Sequence, residues 1–147
     1  MKFDGSVTIQ ADRATVWSFL TDPEAVAKCA PGVESMEIVV PDETFKAVAS
    51  IGLGNLKVRF NVDVEWTELS EPDKAAVKAH GTAPGSATDV MATMELSDGE
   101  AGATVMDWSA DISVMGTIAS LASRMMGSVT QKLTQEFFEC MKSQIES

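Results

Sequence analysis

One histidine, two cysteines and a few paired charges are the side chains in this sequence whose type and spacing could carry chemistry. His80 sits in Ala75-Ala76-Val77-Lys78-Ala79-His80, where strand parity puts Ala75, Val77 and Ala79 on one face and Ala76, Lys78 and His80 on the other. The apolar set belongs inside, so His80 is expected to point outward and to play no catalytic part. Asp107 and Asp111 share their parity with Ser109 and Ser113 and read as a solvated face in the same way. Lys132 and Glu136 are harder to dismiss. On a helical projection they fall beside Val129 and Leu133 within an apolar stripe, where they could anchor a ligand head group; the alternative is a solvated i,i+4 pair worth a few tenths of a kcal/mol. No nucleophile-base triad, metal-ligand cluster or phosphate loop is visible, so the expectation is no catalytic residues, no metal site and no cofactor.

Cys29 and Cys140 lie far apart and belong to no CxxC or Cys/His cluster. They are expected to be reduced thiols in a cytoplasmic protein. The charge balance, 11 basic against 22 acidic residues for a net charge of −11, comes with basic residues scattered singly from Lys2 to Lys142. Nucleic acid and anionic lipid both select clustered positive charge, so neither is an expected partner. Met1-Lys2-Phe3-Asp4-Gly5 lacks the apolar run of a secretory signal, so the mature chain is expected to begin there. The tract from Ile112 to Ser123 is too short to cross a bilayer, which takes about 20 residues.

The elements that must position these residues follow from periodicity. Phe3 to Gln10 alternates weakly and suits a first strand. Asp12 can cap a short helix that buries Val16, Phe19 and Leu20, and Asp22-Pro23-Glu24 starts a second that Pro31-Gly32 ends. From residue 33 to 114 the period becomes two, with turn signals at Pro41-Asp42, Gly52 to Gly54, Glu71-Pro72-Asp73, Pro84-Gly85 and Asp98-Gly99. Strands are expected at 33–40, 44–52, 56–69, 74–82, 87–97 and 102–114. Ile118, Leu121, Ala122, Met125, Val129, Leu133, Phe137, Cys140 and Met141 then recur at spacings of three and four, as in one long amphipathic helix from Gly116 to about Ile145. The expected architecture is α+β, a seven-stranded antiparallel sheet curved around a long C-terminal helix, with two short helices after strand one, all in one domain over 1–147.

The apolar faces converge. Phe45, Ala47, Ala49 and Ile51; Val58, Phe60, Val62, Val64 and Trp66; Val90, Ala92, Met94 and Leu96; and Met106, Trp108, Ala110, Ile112 and Val114 all alternate with polar neighbours. A curved sheet crossed by one helix leaves a cleft, and its many alanines leave volume there. Methionine adds an adaptable lining. The candidate ligand-binding residues are therefore Phe45, Phe60, Val62, Val64, Trp66, Met94, Met106, Trp108, Ile112, Leu121, Met125, Val129 and Leu133, with Lys132 and Glu136 as the polar anchor. Met125 is expected over the cleft. A packed core without a cavity is the competing reading, and would leave a pure interaction protein.

Several strings carry a family resemblance. Phe3-Asp4-Gly5-Ser6-Val7, Val16-Trp17-Ser18-Phe19-Leu20-Thr21-Asp22-Pro23-Glu24 and Cys29-Ala30-Pro31-Gly32-Val33, followed by Val58-Arg59-Phe60, Gly85-Ser86-Ala87 and Phe137-Phe138, resemble the carbon monoxide dehydrogenase G-subunit family of the START/Bet v 1-like (SRPBCC) superfamily. The resemblance implies a helix-grip fold and an apolar cavity for a lipid or quinone. It also implies a non-enzymatic accessory or recruitment role beside a molybdenum-dependent carbon monoxide dehydrogenase or related hydroxylase. The alternative within the superfamily is a cyclase- or hydrolase-like enzyme, which needs an inward acid or base. Longer members carry a C-terminal extension suited to membrane attachment, and this sequence stops at Ser147. The expectation is a cytoplasmic protein, at most transiently peripheral to the membrane, with no stable anchor.

Overall fold

The computed structural model describes residues 1–146. Its elements run β1 (Lys2–Ile9), α1 (Arg13–Leu20), α2 (Pro23–Cys29), β2 (Val33–Val40), β3 (Thr44–Leu53), β4 (Leu56–Ser70), β5 (Lys74–Ala83), β6 (Ser86–Asp98), β7 (Thr104–Gly116) and α3 (Ala119–Ile145). All seven strands form one antiparallel sheet in the order β1-β7-β6-β5-β4-β3-β2. Six strands thus pair with their sequence neighbours, and β1 closes the sheet against the last strand. This is the helix-grip architecture, with α3 lying across the concave face.

Local signals set the boundaries. The Asp12 carboxylate accepts from the Thr15 amide at 2.8 Å and caps α1, while Asp22 accepts from the Glu24 amide at 3.0 Å with Pro23 in the first turn of α2. The caps satisfy amides that a helix N-terminus otherwise leaves without partners. β7 begins two residues later than the periodicity suggests, because Glu100–Gly102 forms a 3-10 turn in which Ala101 and Gly102 both take positive φ. The last helix begins at Ala119 rather than Gly116. Gly116 has φ +95 and its backbone meets Gly85, so a Cβ there would stand 2.1 Å from the Gly85 carbonyl oxygen.

Two apolar clusters fill the two ends of the grip. Ile9, Val16, Trp17, Phe19, Leu20, Leu96, Met106 and Met141 are buried at one end, where α1 and the C-terminal half of α3 meet β1, β6 and β7. Leu53, Phe60 and Ile118 anchor the other, under the first turns of α3. Thr104 is wholly buried, and its hydroxyl donates to the Ala11 carbonyl at 2.8 Å, which offsets the cost of burying it.

The cysteines correct the sequence reading. Cys29 of α2 and Cys140 of α3 are not reduced thiols but are joined in a disulfide, with Cα atoms 5.4 Å apart across a separation of 111 residues. Spacing along the chain says nothing of this, since six of the seven strands lie between the two helices in sequence.

Candidate functional site

The concave face is lined in register. Trp108, Met94 and Ala75 stand opposite one another on β7, β6 and β5, as do Ala110, Ala92, Val77 and Trp66 one step along on β7 through β4. Small residues in the middle of the sheet, facing aromatic residues on α3, leave space unfilled. The result is a cavity of about 320 Å³ bounded by Leu20, Pro23 and Val26 of the short helices, Phe45, Val64 and Trp66 of β3 and β4, Ala75, Ala76 and Val77 of β5, Ala92, Thr93 and Met94 of β6, Met106, Trp108, Ser109 and Ala110 of β7, and Thr134, Phe137 and Phe138 of α3. Phe138 stacks obliquely on Trp108 and edge-on to Phe137, with ring centroids 6.4 and 5.6 Å apart.

A second cavity, of about 210 Å³, continues along the same strands. Val62, Ala79, Val90 and Ile112 line it, each two residues on from Val64, Val77, Ala92 and Ala110 of the first. Its remaining walls are Ala49, Ile51, Leu53 and Phe60, the Gly81 backbone, Thr88, Val114, Ile118 just ahead of α3, and Ala122, Met126, Val129 and Leu133 of α3. One compartment is rich in aromatic rings and the other is almost wholly aliphatic. No charged residue lines either.

All but two of the expected ligand-binding residues stand in these walls. Phe45, Val64, Trp66, Met94, Met106 and Trp108 border the first cavity, and Phe60, Val62, Ile112, Val129 and Leu133 the second. Leu121 and Met125 do not. Both pack with the Leu53-Phe60-Ile118 cluster, and the Met125 thioether reaches the β3–β4 turn, where a Cβ on Gly54 would meet it at 3.4 Å. Met126, its neighbour, covers the cavity instead. Lys132 and Glu136 are exposed and line neither cavity, so they hold no polar anchor in the cleft. Sequence reasoning misses Pro23 and Val26, because the signals that start and stop α2 say nothing of what the helix faces.

The polar groups near the cleft are already engaged. The Thr93 and Ser109 hydroxyls bond each other at 2.7 Å, Thr134 donates to the Thr130 carbonyl at 2.9 Å, and Thr88 donates to the Ser113 carbonyl at 3.0 Å. His80 points away from the cleft, half-exposed, and its Nδ1 lies 2.6 Å from Asp89 on β6. Among the described residues no group of three or more His, Cys, Asp or Glu could hold a metal ion, and no helix is long and apolar enough to cross a membrane.

Comparison with known proteins agrees with this fold. The chain is similar over 98% of its length to a conserved protein from Geobacillus kaustophilus, covering 94% of that chain at 24% identity with a TM-score of 0.89. A START superfamily protein from Mycobacterium smegmatis superposes with a TM-score of 0.76 at 12% identity, over 99% of this chain and 97% of the other. The Zhui aromatase/cyclase from Streptomyces sp. R1128 does so with a TM-score of 0.75 at 14% identity, over 98% and 92%. No curated protein matches the sequence. At these identities the structural likenesses speak to the fold, but the family model for CoxG, the G-subunit of carbon monoxide dehydrogenase, matches residues 5–146, and the chain belongs to that family.

Proposed function

We propose that this protein binds a neutral hydrophobic molecule, lipid- or quinone-like, in the paired cavities, and does so without transforming it. The observation that supports this most directly is the uncharged lining of both compartments. A fatty acid or other ionised ligand would leave its charge inside without a partner, at a cost of several kcal/mol. A neutral ligand meets no such barrier. The larger cavity, at about 320 Å³, lies at the lower end of the roughly 300–1,000 Å³ usual for small-molecule sites. Its aromatic walls suit a ring and the aliphatic compartment behind it suits a chain.

The engaged hydroxyls favour binding over catalysis. A cyclase- or hydrolase-like activity requires a positioned acid or base at the reacting atoms, whereas Thr134 and Thr88 donate to carbonyls, Thr93 and Ser109 bond each other, and neither lining includes Asp, Glu, His or Lys. Membership of the CoxG family supports an accessory or recruitment role beside a molybdenum-containing carbon monoxide dehydrogenase or related hydroxylase.

Native mass spectrometry of the purified protein, with solvent extraction of anything released, tests the reading. A neutral hydrophobe is expected to travel with the protein. An empty protein that also fails to bind N-phenyl-1-naphthylamine, a neutral fluorescent hydrophobe, would mean that the cavities are not a ligand site.

A further inference from the structure

The Cys29–Cys140 bond ties together two walls of the larger cavity. Pro23 and Val26 line it from α2, while Phe137 and Phe138 line it from α3. α1, the preceding helix, is held by four buried side chains, Val16, Trp17, Phe19 and Leu20. α2 has one. Cys29 is its only buried residue, with Pro23, Ala25, Val26 and Ala27 half-buried beside it, so the disulfide is the one covalent tie on a helix that otherwise packs shallowly. Beyond it the chain is pinned again at Gly32, whose carbonyl accepts from the Ser50 amide at 2.8 Å and where, at a φ of +83, a Cβ would stand 2.2 Å from the Ser50 carbonyl oxygen. The seven residues of α2 therefore form a strap across the cavity wall, with a covalent fastening at its far end.

We propose that Cys29–Cys140 is a redox-sensitive clasp on the cavity, an inference that rests on the cavity being a ligand site. With the bond formed, α2 is held against α3 and the ligand is retained. A dithiol reductant opens it in two steps. Its thiolate attacks Sγ of Cys140, the more exposed of the pair, and displaces Cys29 as a thiolate that takes up a proton. The reductant's second thiol then resolves the mixed disulfide, leaving Cys140 as a thiol and the reductant as its own disulfide. Two electrons and two protons pass to the protein. α2, keeping the packing of one buried thiol and of its half-buried Pro23, Ala25, Val26 and Ala27, then opens locally far more often. Ligand exchange speeds up because the wall formed by Pro23 and Val26 lifts.

The experiment compares the full chain in two redox states, each verified by thiol alkylation and intact mass. Protein loaded with N-phenyl-1-naphthylamine is mixed in a stopped-flow instrument with excess phosphatidylcholine vesicles, and probe release is timed. Release is expected to be at least about tenfold faster after dithiothreitol and to return to its starting rate after reoxidation with diamide. Amide hydrogen exchange over Pro23–Cys29 should rise in the same step, with Arg13–Leu20 unchanged. Cys140→Ser, untreated, should release the probe at the reduced rate; if that variant does not fold, the wild-type pair decides. Equal rates and equal exchange in the two states overturn the clasp, as does failure of the cysteines to bond under diamide. Absence of probe binding in both states counts against the ligand reading instead, and the exchange of α2 still decides whether the bond fastens it.

Discussion

The indole of Trp108 lies against Gly5 on the neighbouring strand, so closely that a Cβ at position 5 would stand 2.8 Å from the indole nitrogen and 2.9 Å from two of its ring carbons. Gly5 thus makes the room in which one wall of the larger cavity stands. Gly5→Ala is expected to push the ring toward Met94 and the cavity. The change should cost about 1–3 kcal/mol, as overpacking does, and weaken N-phenyl-1-naphthylamine binding. Denaturant midpoints and probe titrations on the same samples check both.

Adjacent methionines on α3 offer a sharper test of the second compartment. Met126 borders it and Met125 lies outside, over the β3–β4 turn. Met126→Trp should fill empty volume at little cost in stability and weaken a long-chain neutral probe by about tenfold, or 1.4 kcal/mol. Met125→Trp should leave affinity unchanged. Unchanged affinity in Met126→Trp would mean that the aliphatic compartment takes no part in binding.

Arg13, at the start of α1, bonds Asp73 in the β4–β5 turn and Asp98 at the end of β6, the latter at 3.0 Å. The side chain is about one-third exposed and the carboxylates more so, at 32%, 63% and 74%, which places the pairs in the screened, surface regime. Such pairs are worth roughly 0.2–1 kcal/mol each. Arg13→Ala should therefore lower stability by about 1 kcal/mol in dilute buffer and by less in 1 M salt. Thermal melts at two ionic strengths measure the difference.

Glu34 titrates low. The Ser50 hydroxyl donating at 2.6 Å holds its carboxyl below the usual glutamate range, with a smaller contribution from Arg59. Because the folded value lies below that of the unfolded chain, the contact favours the fold above the ordinary glutamate value. That contribution fades as pH falls through the depressed one. Carboxyl-detected NMR titration should show Glu34 moving back up toward the ordinary value in Ser50→Ala.

Much of this was legible in the residues. Period-two alternation in Val58 to Trp66 and Met106 to Val114 names the wall residues because side chains on a strand can only alternate. A helix is less strict. Along α3, with Ile118 just ahead of it, Ala122, Met126, Val129, Leu133, Phe137 and Met141 run mostly at spacings of four, with Thr134 and Phe138 beside them in the larger cavity, so the line of cavity and core residues winds around the helix as the sheet curves beneath it. A fixed projection drifts off that stripe, which is why it turns Met125, Lys132 and Glu136 inward. The bulge in β4, where the register against β5 shifts between Trp66 and Glu68, leaves no mark in the sequence, and beside it Ala76 reaches the cavity lining despite its outward parity. The disulfide was equally hidden, since a pairing across 111 residues depends on where two helices come to rest.

The pairing of β1 with β7 bears on how the chain reaches this state. β3 to β7 can each zip onto the strand before through a short turn, whereas Lys2 must find Asp111 and Ile9 must find Thr104. Closing a loop that long costs entropy before any contact compensates for it, and folding rates fall as such distant pairings dominate. The pairing of β1 with β7 thus carries the longest loop of any strand pair in the sheet. Until β1 arrives, β7 is an open edge with Met106 and Trp108 uncovered on one side, and the wall of the larger cavity is complete only once β1 has docked against it.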